Sequence, residues 1–149
     1  MRKPTVGQTA SRTLVVAEAM LKQYAELTGD RNPLHFDDEF CKHTRFGERI
    51  AQGGITTGMV NTLIAMDLPG PGSVFMSQNY KFPNPAYVGD TLTATTATIE
   101  VLAVKPDKPV TQIKVHITRQ DGATVLEGEA WVYTVVSHSC HVSRHREHF

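Results

Sequence analysis

The chain has 149 residues, 40% of them hydrophobic and 20% charged, with 15 basic and 15 acidic side chains. That length suits one domain with its own core, and the charge balance excludes nucleic acid or an anionic membrane surface as the main partner, because both demand a basic excess. Two cysteines, Cys41 and Cys140, stand in no metal-ligand spacing and fit free thiols in a reducing compartment, and no apolar run reaches the ~18 residues of a membrane span.

In chain order, a short first strand is expected near "QTASRTLVV". A helix follows in "VVAEAMLKQYAELTGD", where Val16, Met20, Leu21, Tyr24 and Leu27 recur at threes and fours to make one apolar face. Gly29 is placed to close it as the residue after the C-cap. The next stretch is expected to be non-helical, because Pro33 bars Asn32 from the α region. "DDEFCKHT" suits a short helix capped by Asp37 or Asp38. From Gly54 to about Asp67 the chain is apolar nearly all round, which predicts a buried central helix stopped by "LPGPG".

The remainder reads as strands: "SVFMSQNYKF", "DTLTATTATIEVLAV", "PVTQIKVHITRQ" and "TVLEGEAWVYTVV", rich in Thr, Val and Ile or alternating in polarity. "KPDKP" and "QDGA" are read as hairpin connections, with Asp121-Gly122 as a two-residue turn. The order predicts an α+β domain over residues 1–136, with four consecutive antiparallel strands and the long helix against a curved sheet. Residues 137–149, "HSCHVSRHREHF" with the serine before it, carry His138, His141, His145 and His148 around Cys140. A metal-binding tract is one reading. A solvated tail is the preferred one, because no apolar face would hold a helix there.

Two stretches carry candidate chemistry. In "GDRNPLH", Asp30 and His35 flank a proline-stiffened turn on loop backbone, and an Asp/His pair can hold one water and move its protons. Read alone, a capping Asp30 and a hydrogen-bonded surface His35 are the commoner explanation of such spacing. In "IAQGGITTG", Gly53 and Gly54 open an apolar helix. First-turn N–H groups lack intrahelical partners, so they can hold a polarised carbonyl oxygen. Tight helix packing explains the glycines as well.

Taken together, "LTGDRNPLHFDDEFCKHTRFGERIAQGG" resembles the hydratase-2 motif of the MaoC-like (R)-specific enoyl-CoA hydratases and 3-hydroxyacyl-thioester dehydratases. The likeness continues through "LPGPGSVFMSQNYKFPNPAYVGDTL" and covers roughly residues 5–136. The resemblance implies a hot-dog fold, a homodimer joined at sheet edges, and reversible syn addition of water to a trans-2-enoyl thioester carried by CoA or acyl carrier protein. It implies no metal or redox cofactor. Carried over residue by residue, Asp30 and His35 are the catalytic pair and Gly53 supplies the oxyanion N–H. Asn32 and Pro33 shape the loop. Gln52 stands where the family often has His, and Asn61 where some hydratases carry a serine. Gly54 and Gly58 are expected to leave room for an acyl chain. The match begins near "VGQTASRT" and leaves no room for a transit peptide, which implies a cytoplasmic protein, or a mitochondrial-matrix one in a eukaryote.

Two other functions stay in view. A hot-dog thioester hydrolase would want a carboxylate on the central helix, and Gly53 to Met66 holds neither Asp nor Glu. A non-catalytic acyl-thioester-binding subunit would not need both Asp30 and His35.

Overall fold

A computed structural model describes residues 4–101 and 109–135, with residues 96–101 described as backbone only. The His-rich segment, including His138, Cys140, His141, His145 and His148, lies outside the described residues, as does the "KPDKP" connection from Lys105 to Lys108. The elements in order are β1 (Thr9–Val15), α1 (Glu18–Thr28), α2 (Pro33–Phe36), α3 (Asp38–Lys42) and α4 (Gly53–Thr62). Helix α4 runs on as a π-wound segment (Leu63–Asp67), and β2 (Ser73–Lys81), β3 (Thr91–Val101), β4 (Val110–Arg119) and β5 (Thr124–Thr134) follow.

The strands form one five-stranded antiparallel sheet in the order β1-β3-β4-β5-β2. The expected run of neighbouring strands therefore holds for β3, β4 and β5 but not for β2, which pairs with β5 at the far edge instead of with β3. The strand pattern was readable; the crossover was not, because pairing partners are chosen in three dimensions. On β4, Thr111, Ile113, Val115 and Ile117 are buried, while Lys114 and His116 between them are exposed. This period of two turns one face of the sheet onto α4.

Met59, Val60, Leu63 and Ile64 of the central helix meet that face, and their side chains form the middle of the core. Deleting one such side chain costs ~2–5 kcal/mol. The arrangement, one long helix against one antiparallel sheet, is the hot-dog architecture. The central helix is not buried all round: Asn61, Thr62 and, in the π-wound segment, Met66 are exposed. In α1 the buried residues are Leu21 and Ala25, and Leu27 is 83% exposed, so the predicted apolar face is narrower than its periodicity suggests.

Local chemistry explains most boundaries. Gly29 ends α1 in the left-handed conformation, φ 82°, with its N–H on the Ala25 carbonyl. Asp37 caps α3 by accepting from the Phe40 N–H. The "QDGA" connection differs from expectation. Gly122 alone has positive φ, and the Arg119 N–H reaches the Ala123 carbonyl. It is thus a three-residue loop ending in a left-handed glycine, not a two-residue turn, which would need positive φ at both residues.

Candidate active site

The segment between α1 and α3 was expected to be non-helical. Instead Pro33–Phe36 makes a helical turn. The proline excludes only its predecessor from the α region: Asn32 has φ −53° and ψ 132°, while Pro33 takes the first helical position, where it loses no hydrogen bond. The Asn32 Oδ1 accepts from the Leu34 N–H at 3.1 Å and caps the turn. The Asn32 N–H donates to Asp30 Oδ1 at 3.3 Å. This turn carries His35 inward until its side chain is 9% exposed, while that of Asp30 remains 40% exposed beside it.

One oxygen of Asp30 is thus occupied by backbone, and the other faces the imidazole, with Oδ2 3.6 Å from His35 Nε2. That gap is too long for a direct hydrogen bond and short enough for one water to contact both atoms. On the other side of the ring, His35 Nδ1 lies 2.7 Å from the Ile50 carbonyl oxygen. A carbonyl only accepts, so Nδ1 carries a proton, and Nε2 is the ring nitrogen turned toward Asp30.

Gly53 is the first residue of α4, and it shares with His35 a cavity of about 240 Å³. Thr56, Phe46, Phe82 and Ala86 complete much of its wall. Phe82 covers Gly53: a Cβ placed on that glycine would sit 3.6 Å from the phenyl ring. The buried Thr56 donates its hydroxyl to the Gly53 carbonyl at 2.7 Å, and Thr57 does so at 3.1 Å. The Gly53 N–H lies in the first turn, where no intrahelical acceptor exists and the helix dipole is positive. The site therefore sets an imidazole and an anion-favouring helix end on an apolar hollow, with a carboxylate beside it. A larger hollow, about 560 Å³, lies among Lys81, Lys114, His116, Glu127 and Glu129, where β4 presents its exposed residues. Its mixed charges offer no comparable set of groups.

The remaining candidates are distributed differently. Asp30 stands beside the cavity and is not part of its wall. Gln52 is 1% exposed and points away from it, donating from Nε2 to the Leu21 carbonyl at 3.0 Å. It fastens the start of α4 to α1. Gly54 does not leave acyl space: a Cβ there would overlap the Tyr24 hydroxyl and ring, so the aromatic side chain fills the gap. Gly58 does face open space, with nothing within 4 Å of an added Cβ. Asn61 is exposed and accepts from Gln78 Nε2 at 2.9 Å, roughly 12 Å along the helix from Gly53 at 1.5 Å per residue.

Sequence reasoning missed Thr56, Tyr24, Phe82 and the Ile50 carbonyl. Thr56 alone had a usable signal, three residues beyond Gly53 and hence on its helical face. Cys41 is buried, its thiol directed at the Leu34 carbonyl at 3.3 Å and pushed up in pKa by burial, which suits a packing role. Among the described residues no three His, Cys, Asp or Glu side chains gather as metal ligands, and no helix is long and apolar enough to cross a membrane.

Comparison with known proteins follows the same residues. The family model described as "MaoC like domain" matches residues 3–120, ending earlier than the 5–136 read from the motifs. The chain is 36% identical over 127 residues to an (R)-specific enoyl-CoA hydratase of Aeromonas caviae, covering 85% of this chain and 92% of that protein. It is 35% identical over 126 residues to an (R)-specific enoyl-CoA hydratase of Rhodospirillum rubrum, covering 85% of each. A 3-hydroxybutyryl-CoA dehydratase of Methylorubrum extorquens is 35% identical over 127 residues, 85% of this chain and 78% of that one. Among solved structures, the (R)-hydratase from A. caviae involved in PHA biosynthesis superposes with a TM-score of 0.82 at 32% identity, covering 91% of this chain and all of that one.

Proposed function

The chain belongs to the MaoC-like domain family, and from that membership we propose that it is an (R)-specific enoyl-thioester hydratase, working reversibly as a 3-hydroxyacyl-thioester dehydratase through Asp30, His35 and the Gly53 N–H. The observation that carries the assignment of residues is the pair of contacts on His35. The Ile50 carbonyl holds Nδ1–H, and Asp30 faces Nε2 at 3.6 Å.

A water between Nε2 and Asp30 Oδ2 loses a proton to this pair as its oxygen bonds to the β-carbon. Electron density moves through the alkene to the thioester oxygen. The Gly53 N–H and the α4 dipole hold that developing charge, and one such donor contributes ~3–4 kcal/mol to the transition state. The proton held by the pair then returns to the α-carbon on the face from which water added. Addition on one face follows from one pair, His35 in the cavity wall and Asp30 beside it, both taking the proton and returning it. Water is the second substrate, and the reaction calls for no metal or redox cofactor. The acyl carrier, CoA or acyl carrier protein, is recognised beyond the thioester. The partner for the β2 edge is a second copy of the chain, since Val74 and Met76 of that strand are exposed.

Thioester hydrolysis fits less well. Asp67, the first carboxylate after Gly53 on the helix, is held by Arg12 at 2.6 Å through Nε and 3.0 Å through Nη2. Its guanidinium neighbour keeps the carboxyl below its usual pKa, anchored as an ion-pair partner far from the cavity wall. The deciding assay follows loss of enoyl absorbance with crotonyl-CoA and then the configuration of the product. Formation of (R)-3-hydroxybutyryl-CoA is expected. Free CoA without hydroxyacyl product would establish a hydrolase, and binding without turnover a non-catalytic subunit.

A further inference from the structure

His35 owes its orientation to a residue outside the reacting groups. Its Nδ1–H rests on the Ile50 carbonyl, and Ile50 is fixed in turn by its own N–H on the Leu34 carbonyl at 3.1 Å and by bridging to Tyr87. Arg49, the preceding residue, joins this segment to everything around the His35 turn. Its guanidinium grips Glu18 at the start of α1 with two parallel bonds of 2.7 Å. Nε lies 3.0 Å from Asp38 Oδ1 at the start of α3. A further Nη1 contact of 3.5 Å reaches the carbonyl of His35 itself. The side chain is only 20% exposed, and the Glu18 carboxylate pushes the Arg49 pKa further up.

Arg49 is absent from the cavity wall and touches no reacting atom. A partly exposed ion pair adds little to stability, about 0–1 kcal/mol. What a planar five-donor fork supplies is direction: three elements are set against one another by a group that cannot rotate its donors independently. We infer that Arg49 is a positioning residue for His35. It holds the Arg49–Ile50 segment against α2, so that the imidazole keeps its proton on Nδ1 and its Nε2 toward Asp30. The inference rests on the assignment of His35 as base.

The test uses Arg49→Lys, which keeps the charge and loses the fork, and Glu18→Gln and Asp38→Asn, which leave Arg49 in place and weaken its grip. Each is compared with wild type by kcat and KM for crotonyl-CoA and by ¹⁵N NMR of the His35 ring, assigned against His35→Gln. Wild type is expected to show the ring protonated at Nδ1. Arg49→Lys is expected to lower kcat on the order of 10- to 100-fold, with KM nearly unchanged, and to give a mixture of ring tautomers. The two partner variants shift both readouts the same way by less. They decide the matter by themselves if Arg49→Lys does not fold. A folded Arg49→Lys with near-normal kcat and an unchanged tautomer overturns the inference. So does a loss of kcat with the tautomer intact, which would indicate general loosening. A fully active His35→Gln, with the tautomer still shifted in Arg49→Lys, would overturn the base assignment while leaving the control of the ring by Arg49 standing.

Discussion

At the scale of single residues the proposed chemistry rests on a gap of 3.6 Å between Asp30 Oδ2 and His35 Nε2, with the far side of each group already committed to backbone. Asp30→Asn keeps the shape and the acceptor for the Asn32 N–H but removes the charge that accepts a proton. His35→Gln removes the base. Each is expected to lower kcat for crotonyl-CoA hydration by about 10²–10⁴-fold, with the far-UV circular dichroism unchanged. Near-normal turnover by either variant would sink the mechanism. Asp30, Asn32, Pro33 and His35 could be picked out because they fall within six residues and match one family motif; their spacing alone favoured a capping Asp30 and a surface His35. Arg49 and Tyr24 could not be picked out, because what they do depends on which element passes beside them. Asn61 stands where the family resemblance put a supporting polar group, and here its amide oxygen accepts from Gln78 of β2.

Among the elements, the first turn of α4 does the most, and two glycines there act for different reasons. Gly53 has no positive φ and would tolerate a Cβ, so its contribution is the bare N–H. Proline suits a first helical position, and Gln52, at φ −60° and ψ 136°, already adopts the extended conformation that a following proline demands. Gly53→Pro therefore deletes one donor with little cost to the helix. The expected result is a kcat lower by ~10²–10³-fold at an unchanged melting temperature; normal kcat would remove the Gly53 N–H from the mechanism. Gly54→Ala is expected to act oppositely, because the new methyl meets the Tyr24 ring. Overpacking of this kind costs ~1–3 kcal/mol, readable as a lower denaturant midpoint. Tyr24→Leu in the same chain should restore part of it, and no loss in Gly54→Ala would mean the two helices separate freely. The central helix was legible from its apolar run and its glycine and proline limits. The one-turn α2 was not, since its single turn has too few residues for a period.

For the whole molecule the open question is the β2 edge. The sheet has two edge strands, β1 and β2. β2 presents Val74 at 53% and Met76 at 60% exposure, separated by a register shift between Phe75 and Ser77. A single-chain protein guards such an edge with charge or a cover; here Lys81 stands at one end of β2, and Val74 and Met76 lie bare toward the other, as they would if another strand lay alongside there. The chain is therefore expected to sediment at twice its own mass. Met76→Lys, which sets a charge in the middle of the edge, is expected to sediment as one chain with its circular dichroism intact. Turnover should fall with the dimer, because Phe82 directly follows β2 and forms the wall over Gly53. If the edge strand is freed, that wall loses its anchor and water reaches the oxyanion site. A wild-type monomer, or a Met76→Lys dimer of undiminished affinity, would place the contact elsewhere. A monomeric variant with full activity would mean that one chain holds Phe82 in place unaided.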